Sequence, residues 1–154
     1  MNVAVSDADR ADIDSGALEA FVETILATEG VESDASLAVT FASVGDISDL
    51  NERFMGKTGP TDVLSFPIED ASPGCPPHAT EGGPPLALGD IFICTDVVDT
   101  HATEYQVSFD EELYLMVAHG VLHILGWDHV DATEAEAMEA REAMHLATVG
   151  RSRR

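Results

Sequence analysis

The spacing of apolar residues predicts a helix near the start of the chain. Five of them fall at positions i, i+3, i+4, i+7 and i+8, which form one stripe along a helix. These residues are Leu18, Phe21, Val22, Ile25 and Leu26. We expect a helix from about Ser15 to Glu29, and Gly30 suits the position just after its end because glycine adopts left-handed dihedral angles at no steric cost.

Short apolar runs predict three strands. Residues 36–43 (SLAVTFAS) alternate between apolar and polar positions, residues 63–66 are interpreted as a strand stopped by Pro67, and a third strand spans about 90–94. Residues 69–88 hold five prolines and show no periodicity. This composition predicts a long loop between the second and third strands.

Four more helices are predicted after the first. Two of them span about 47–54 and 97–105. The other two each begin with an S/T-x-x-E capping box, in which the first residue caps the helix and the glutamate bonds back to it. They start at Ser108 and Thr133, and we expect them to end near residues 126 and 147.

Helices and strands mix without strict β-α-β alternation, which indicates an α+β fold. A length of 154 residues suits a single domain. The 45% of hydrophobic residues agrees with a globular protein, and no apolar run approaches the roughly 18 residues of a membrane span.

The first residues, MNVAVSDADR, are acidic where a secretory signal is basic and then apolar, so we expect a cytoplasmic protein.

The charge of the chain is strongly negative. Twenty-nine acidic residues face seven Lys and Arg, which gives a formal net charge of −22, and Lys57 is the only lysine. A cationic partner or adaptation to a salt-rich cell would each explain this excess. The acids are scattered and do not form a tail, which favours the second explanation. Nucleic acid would be repelled at long range unless salt screened the field.

The string HGVLHILGWDH, residues 119–129, carries the main chemical signal. Its spacing is that of the H-E-x-x-H-x-x-G-x-x-H helix of zinc hydrolases. Residues four apart lie on one helical face, so His119 and His123 can present imidazoles to one ion, and Gly126 lets the chain turn and return His129 as a third ligand. Three neutral imidazoles leave a fourth position open, as in catalytic zinc sites, so the spacing predicts one open metal site.

The glutamate base of such zinc hydrolases is absent, because Gly120 stands in its place. A glycine there could let the helix approach a neighbour closely. Asp128, next to the third histidine, could act as the base, could fix a histidine tautomer, or could serve the turn. His78, His101 and His145 are interpreted as surface or packing residues.

Three motifs in order resemble the YbeY family of metal-dependent endoribonucleases, which are bacterial rRNA maturation factors. They are HGVLHILGWDH, PTDVLSFP at 60–67 and LGDIFI at 88–93. The resemblance extends over roughly residues 36–144. It implies a single domain over residues 1–150, with a small mixed sheet, about five helices and a zincin-like metal helix, followed by a short basic tail at 151–154.

The same resemblance implies a function. It implies Zn²⁺ held by His119, His123 and His129, cleavage of single-stranded RNA, 16S rRNA maturation and ribosome quality control. The implied partners are rRNA, the small ribosomal subunit and ribosome-assembly proteins, with no membrane.

One position departs from the family pattern. Many members have an arginine, proposed to hold RNA phosphate, where this chain has Met55. Arg53 could substitute as a catalytic residue and Lys57 could bind substrate phosphate. The arginines of residues 151–154 are further phosphate candidates, although a solvated tail is favoured for them. Asp62, Ser65 and Asp90 could line the cleft, although structural roles are favoured slightly for each.

Two other functions stay open from the sequence. A metallopeptidase is favoured by the ligand spacing and opposed by Gly120. A non-catalytic ribosome-assembly factor with a metal that stabilises its fold is supported by Met55 and by the acidity. The endoribonuclease hypothesis ranks first because three motifs support it together.

Overall fold

Four strands form one mixed sheet in the computed structural model, which describes residues 1–154. The strands are β1 (Asn2–Ser6), β2 (Ser36–Phe41), β3 (Val63–Pro67) and β4 (Ala87–Ile93). Their order in the sheet is β1-β2-β4-β3. β2 runs parallel to both β1 and β4, whereas the edge strand β3 pairs antiparallel with β4.

Five α-helices accompany the sheet, so the predicted α+β architecture is confirmed. They are α1 (Ser15–Thr28), α2 (Val44–Leu50), α3 (Thr95–Glu104), α4 (Phe109–Ile124) and α5 (Ala132–Ala147). A π-helical turn, Asn51–Met55, continues α2 and ends at Gly56 in a left-handed conformation. None of these helices combines the length and apolar character needed to cross a membrane.

Capping residues set the starts of the last two long helices. The capping box of α4 is confirmed: the amide of Glu111 donates to Ser108 Oγ at 3.0 Å, and the glutamate side chain accepts from the Ser108 amide. The box predicted at Thr133 is wrong. Asp131 caps α5 and accepts from the Glu134 amide at 2.8 Å, so this helix begins one residue before Thr133.

Several predicted boundaries of the elements also need correction. β1 was not predicted: it is only five residues long, and Val3 is its one buried residue, so its apolar signal is short. β4 begins at Ala87, three residues earlier than predicted, which shortens the loop before it. Pro67 is the last residue of β3, so the strand ends there, one residue later than predicted; an edge strand tolerates a residue without an N–H donor.

Helix α4 lies at the centre of the core. Its side chains from 112 to 118 are all buried, as expected of a helix that is apolar around most of its circumference. It contacts α1, α3 and α5 as well as β3 and β4. A smaller cluster around Ile47, Leu64 and Cys94 is covered by α2 on the other side of β3. The core therefore fixes α4 on several sides.

A buried polar network joins the end of α1 to α5. Glu29 accepts hydrogen bonds from Arg141 Nε at 2.7 Å and pairs with His145 Nε2 at 2.6 Å. Burial by itself raises the pKa of the Glu29 carboxyl, but the bonds to Arg141 and His145 outweigh it and hold this pKa below its ordinary value. The charged carboxylate is thus the form that stabilises the fold.

Residues 151–154, the arginine segment, fold back onto α4 and α5. Arg151 bonds to Asp110 at 2.7 Å, and Arg154 bonds to the fully buried Glu112 at 2.6 Å. Their guanidinium groups also lie over the rings of two tyrosines. The interpretation of these arginines as a solvated tail is therefore wrong, because buried carboxylates and aromatic faces hold them against the domain.

The Glu29 network predicts a pH-dependent loss of stability. Glu29→Gln should lower the free energy of unfolding at pH 7 by about 2 kcal/mol, because it removes charge-assisted hydrogen bonds from a buried group. Since the folded-state pKa is lowered, this contribution is present above the ordinary value of 4.5 and is lost as pH falls through the lower folded-state pKa. Urea unfolding at pH 7 and near pH 3 measures both.

The matched control for this prediction is Glu136→Gln, which changes an exposed glutamate on α5. Its stability should stay within about 0.5 kcal/mol of the parent protein. An equal loss in both variants, or a Glu29→Gln loss that does not shrink in acid, would contradict the role assigned to the network.

Candidate metal centre

Three imidazoles converge at the end of α4. His119 and His123 lie one helical turn apart on the same face, and their Nε2 atoms are 3.0 Å apart. His129 comes from the turn after the helix, with its ring centroid 5.3 Å from that of His119 and 5.1 Å from that of His123. One ligand nitrogen from each of the three residues lies within 4.8 Å of the others. The structure thus brings together all three predicted ligands.

A tight turn returns His129 to the helix. Gly126 has φ of 92°, a conformation that side-chain-bearing residues rarely adopt. A Cβ atom at this position would lie only 2.3 Å from the carbonyl oxygen of Ala71, so the loop after β3 packs directly against the turn. Asp128 Oδ1 accepts a hydrogen bond from the His129 amide at 2.8 Å. Backbone freedom and one side-chain bond together set the direction of the third histidine.

The packing of α4 explains the glycine that replaces the hydrolase glutamate. A Cβ atom on Gly120 would lie 3.0 Å from Ile91 Cγ2 and 3.2 Å from Val63 Cγ2. Ser65 Oγ also donates to the Gly120 carbonyl at 2.9 Å. The predicted close approach of the helix is confirmed. The Cβ atom of any larger residue at position 120 would lie in the packed interface between α4 and the sheet.

The histidines open into a cleft of about 720 Å³. The π-helical turn contributes Asn51 and Met55 to its wall, residues 57–61 form one rim, and β3 forms the floor beside the histidines. Most lining groups are polar, and Lys57 is the one lysine or arginine among them. The cleft therefore offers an open face on the three imidazoles and a cation at its rim.

The electrostatic environment keeps one ligand neutral. Burial lowers the pKa of His123 to about 4, and the neighbouring His119 and His129 act in the same direction. Asp128 opposes this shift without reversing it. His123 is therefore an uncharged imidazole at neutral pH, which is the form that binds a metal.

A carboxylate from another helix contacts the first ligand. Glu142 on α5 places Oε1 3.3 Å from His119 Nδ1, and its side chain is only 2% exposed. Sequence reasoning missed this residue. The available signal was its position in the apolar stripe of α5, between Met138 and Leu146, where a charged residue needs a partner.

The other candidate residues occupy different places. Asp128 and Lys57 both line the cleft. Arg53 is not among the lining residues, and its guanidinium lies 5.5 Å from the centroid of the Phe54 ring. Asp62 lines the cleft and pairs with His101 Nδ1 at 3.1 Å, a contact that sequence reasoning also missed.

The remaining candidates have structural contacts. Ser65 lines the cleft but donates to the α4 backbone, and Asp90 lies within β4 and outside the cleft. His145 is fully buried against Glu29, and His78 is exposed beside Glu32. These two histidines behave as the packing and surface residues that were expected.

The arrangement fits a divalent metal ion. His119, His123 and His129 supply three nitrogen donors, a set that zinc favours, and the open cleft leaves room for a fourth ligand. The carboxylate of Glu142 on Nδ1 of His119 is the usual partner of a metal-binding imidazole. The same nitrogen set without such support would be a weaker indication of a metal site.

Comparisons with known proteins identify relatives over almost the whole chain. The family model described as endoribonuclease YbeY matches residues 4–150. An endoribonuclease YbeY from Salinispora tropica is 37% identical over 150 residues, covering 96% of each chain. Another from Moorella thermoacetica is 41% identical over 133 residues, covering 86% of this chain and 85% of the relative.

A solved structure supports the fold alone. The solution structure of a Thermotoga maritima protein aligns with a TM-score of 0.62 and 24% sequence identity. The alignment covers 97% of this chain and 91% of that protein. The domain architecture is therefore shared along nearly the whole length.

The turn at Gly126 yields a prediction that links stability to metal binding. Gly126→Ala should destabilise the fold by about 2 kcal/mol or more, because it adds backbone strain and a clash with Ala71. It should also weaken zinc binding at least tenfold, since the turn directs His129. Urea unfolding and zinc titration against a chromophoric chelator measure the two effects.

Gly82→Ala is the matched control. Gly82 also has positive φ, of 73°, but nothing lies within 4 Å of the added Cβ. This variant should show only the smaller cost of strain, roughly 1 kcal/mol, and unchanged zinc affinity. Equal zinc affinity in the Gly126→Ala variant and the parent protein would contradict the role of the turn.

Proposed function

Because the chain belongs to the YbeY endoribonuclease family, we propose that it is a zinc-dependent endoribonuclease that cuts single-stranded RNA during 16S rRNA maturation and ribosome quality control. One observation carries this proposal: three imidazoles converge in an open cleft that has a cation at its rim. The proposed partners are rRNA in the small ribosomal subunit and ribosome-assembly proteins. This work would take place in the cytoplasm.

The proposed metal ligands are His119, His123 and His129, with one Zn²⁺ per chain. A zinc ion with an open position lowers the pKa of water and offsets negative charge on a phosphoryl oxygen. The imidazoles contribute by staying neutral, which the lowered pKa of His123 favours. The tightly packed helix beneath them keeps their spacing fixed, since α4 contacts both β3 and β4.

The distribution of positive charge supports an RNA substrate for the cleft. Five of the seven Lys and Arg side chains form ion pairs with Asp or Glu: Arg10, Arg141, Arg151, Arg153 and Arg154. Only Arg53 and Lys57 have no carboxylate within ion-pair distance. Both belong to one short stretch beside the cleft, where a phosphate group would meet charge that is not already neutralised.

Lys57 is the better placed of these two cations. It lines the cleft together with the histidines, whereas Arg53 lies outside the lining, and Met55 offers no charge. Lys57 would bind a phosphate next to the scissile bond as a point charge. Arg53, the other proposed catalytic residue, would contact a phosphate further along the strand.

The proposed base is Asp128, since the position of the missing glutamate is closed by helix packing. Its Oδ1 is held by the His129 amide, and the residue lines the cleft. Its other oxygen is available to accept a proton from an attacking water. The alternative role, that Asp128 serves only the turn, uses the same Oδ1 contact and predicts no effect on the chemical step.

Two alternative functions remain distinct from this proposal. A metallopeptidase is disfavoured because Gly120 supplies no carboxylate, and even a Cβ atom there would be in tight contact with Ile91 and Val63. A ribosome-assembly factor with a structural metal is favoured by one observation: Met55 lines the cleft without offering charge. Activity on RNA in the zinc-loaded protein separates these possibilities.

The metal ligands give the primary test. His123→Ala should abolish both stoichiometric zinc binding and cleavage of a single-stranded RNA, because two imidazoles cannot replace the three-nitrogen set. Zinc content by elemental analysis and cleavage of a fluorescent oligonucleotide measure the two outcomes. His78→Ala, which alters an exposed histidine away from the cleft, should keep both at the parent level.

The alternative functions predict different results for zinc binding, RNA cleavage and peptide cleavage. Cleavage that persists in His123→Ala would remove the metal from the mechanism. Zinc binding without any nuclease activity in the parent protein, with unfolding on zinc removal, would favour the assembly-factor function. Turnover of a peptide library with none on RNA would favour the peptidase.

Lys57 gives a second test. Lys57→Gln should raise KM for RNA about tenfold, because one phosphate contact is worth roughly 1–2 kcal/mol, and it should leave zinc affinity unchanged. Lys57→Arg keeps the positive charge and should keep KM within about threefold of the parent value. The slope of log affinity against log salt should also fall by about 0.7, the value for one phosphate contact on a single strand.

A gain-of-charge variant completes this experiment. Met55→Arg places a guanidinium in the cleft wall and should lower KM, because it adds a second phosphate donor beside Lys57. An unchanged KM in both Lys57→Gln and Met55→Arg would show that RNA does not cross this rim.

A further inference from the structure

A line of contacts connects the arginine segment to the metal centre. Arg153 Nε donates to Glu142 Oε2 at 3.3 Å. The other oxygen of the same carboxylate, Oε1, lies 3.3 Å from His119 Nδ1. Three residues from α4, α5 and the segment after α5 therefore form one continuous hydrogen-bonded chain. It ends on an imidazole of the candidate site.

From this chain we infer that Glu142 and Arg153 are positioning residues for His119. The inference rests on the proposed metal site and adds residues outside its ligand set. A buried carboxylate that accepts from Nδ1 holds the proton on that nitrogen and leaves Nε2 unprotonated. Nε2 of His119 is the atom that faces His123, at 3.0 Å. The tautomer fixed by Glu142 is thus the one that can bind a metal through Nε2.

Arg153 matters because Glu142 is almost fully buried. The Glu142 side chain is 2% exposed, and a buried carboxylate needs a charged or hydrogen-bonding partner. Arg153 is the only Lys or Arg within ion-pair distance of it. Its second nitrogen, Nη2, also pairs with Glu139 at 3.3 Å, which ties it to the neighbouring turn of α5. Removal of Arg153 would leave Glu142 bonded to His119 alone.

The rest of the arginine segment fixes Arg153 in place. Arg151 bonds to Asp110 and lies 3.7 Å above the Tyr114 ring, and Arg154 bonds to Glu112 and lies 3.4 Å above the Tyr105 ring. These contacts hold the backbone on both sides of Arg153. The residue therefore approaches Glu142 from a fixed direction.

The same residues line a second cavity, of about 370 Å³, behind the metal centre. His119 and His129 border it from one side, and Glu142 and Arg153 border it from the other. In this cavity the partly exposed Arg153 contacts the nearly fully buried Glu142 carboxylate. Loss of the Arg153 side chain would weaken the hydrogen bond between Glu142 and His119, because water could then compete for both partners.

Zinc affinity is the first measurement. Competition with a chromophoric chelator should show a 10- to 100-fold weaker Kd for Glu142→Ala and a smaller loss for Glu142→Gln, which keeps the size and one acceptor oxygen. Arg153→Gln should weaken binding several-fold, and Arg153→Lys should recover part of that loss. Circular dichroism and thermal unfolding establish that each variant is folded.

Arg151→Gln is the matched control within the segment. It removes an arginine that pairs with Asp110 and does not touch Glu142. Its zinc Kd should weaken less than that of Arg153→Gln, even if its stability falls, because Arg151 acts on Glu142 only by holding the backbone beside Arg153. Equal losses of affinity in Arg151→Gln and Arg153→Gln would overturn the inference, because both would then act only through folding.

The histidine tautomer is the second measurement and needs no metal. In the metal-free protein, ¹⁵N spectra of the imidazoles should show His119 protonated on Nδ1, with the population shifting towards the other tautomer in Glu142→Ala. His78 serves as an internal reference, since it is far from Glu142. A His119 tautomer that is unchanged in Glu142→Ala would overturn the positioning role.

Zinc binding distinguishes the proposed metal site from the positioning role of Glu142 and Arg153. If the parent protein binds no zinc, the metal site and this inference both fall. If it binds zinc and loses it in His123→Ala, but keeps full affinity in Glu142→Gln, Glu142→Ala and Arg153→Gln, only the positioning role falls.

Discussion

The contact between α4 and the sheet is the constraint on which the site depends. Gly120 brings the helix so close to Ile91 and Val63 that an added Cβ would lie at 3.0–3.2 Å from them. That contact leaves a single helical face directed into the cleft, the face that carries His119 and His123. Because α1, α3 and α5 pack on the helix as well, its rotation about its own axis is fixed. The packing of the core on α4 therefore determines the direction in which the two imidazoles point.

The same contact changes the chemistry that the helix can supply. In a zinc hydrolase with H-E-x-x-H, the residue after the first histidine provides the acid–base group. Here this residue belongs to the packing surface, so the proton-accepting group has to come from another element. Asp128 and Asp62 are the carboxylates in the cleft wall. Asp128 makes a structural contact through one oxygen, whereas Asp62 uses one oxygen for the Val63 amide and the other for His101. The cleft thus suits a reaction in which positioning and charge carry more weight than a dedicated helical base.

Local signals in the sequence predicted the helix, the turn and the three histidines, whereas contacts between distant segments stayed hidden. The 119–129 string is local: helical spacing and one glycine determine its geometry. Glu142 and Arg153 lie 23 and 34 positions after His119, and only the packing of α5 on α4 brings them near it. The start of α5 shows how local rules compete. Asp131 and Thr133 both stand three residues before a glutamate, and the helix is capped by the aspartate, which is the stronger N-cap residue of the two.

Some of the many acidic residues stabilise the fold through ion pairs. Carboxylates bind five of the seven cations internally or on the surface, and the excess of acids leaves a net charge of −22. Such a surface repels a polyanion at long range, but salt at 0.1 M reduces the range of that field to about 10 Å. In the proposed function, Lys57 and Arg53 would act on a phosphate only after it had come close to the cleft. If RNA is the substrate, the strand would be held by contacts at the cleft and hardly at all by long-range attraction, and the proposed phosphate contacts at Lys57 and Arg53 would then carry most of the electrostatic binding.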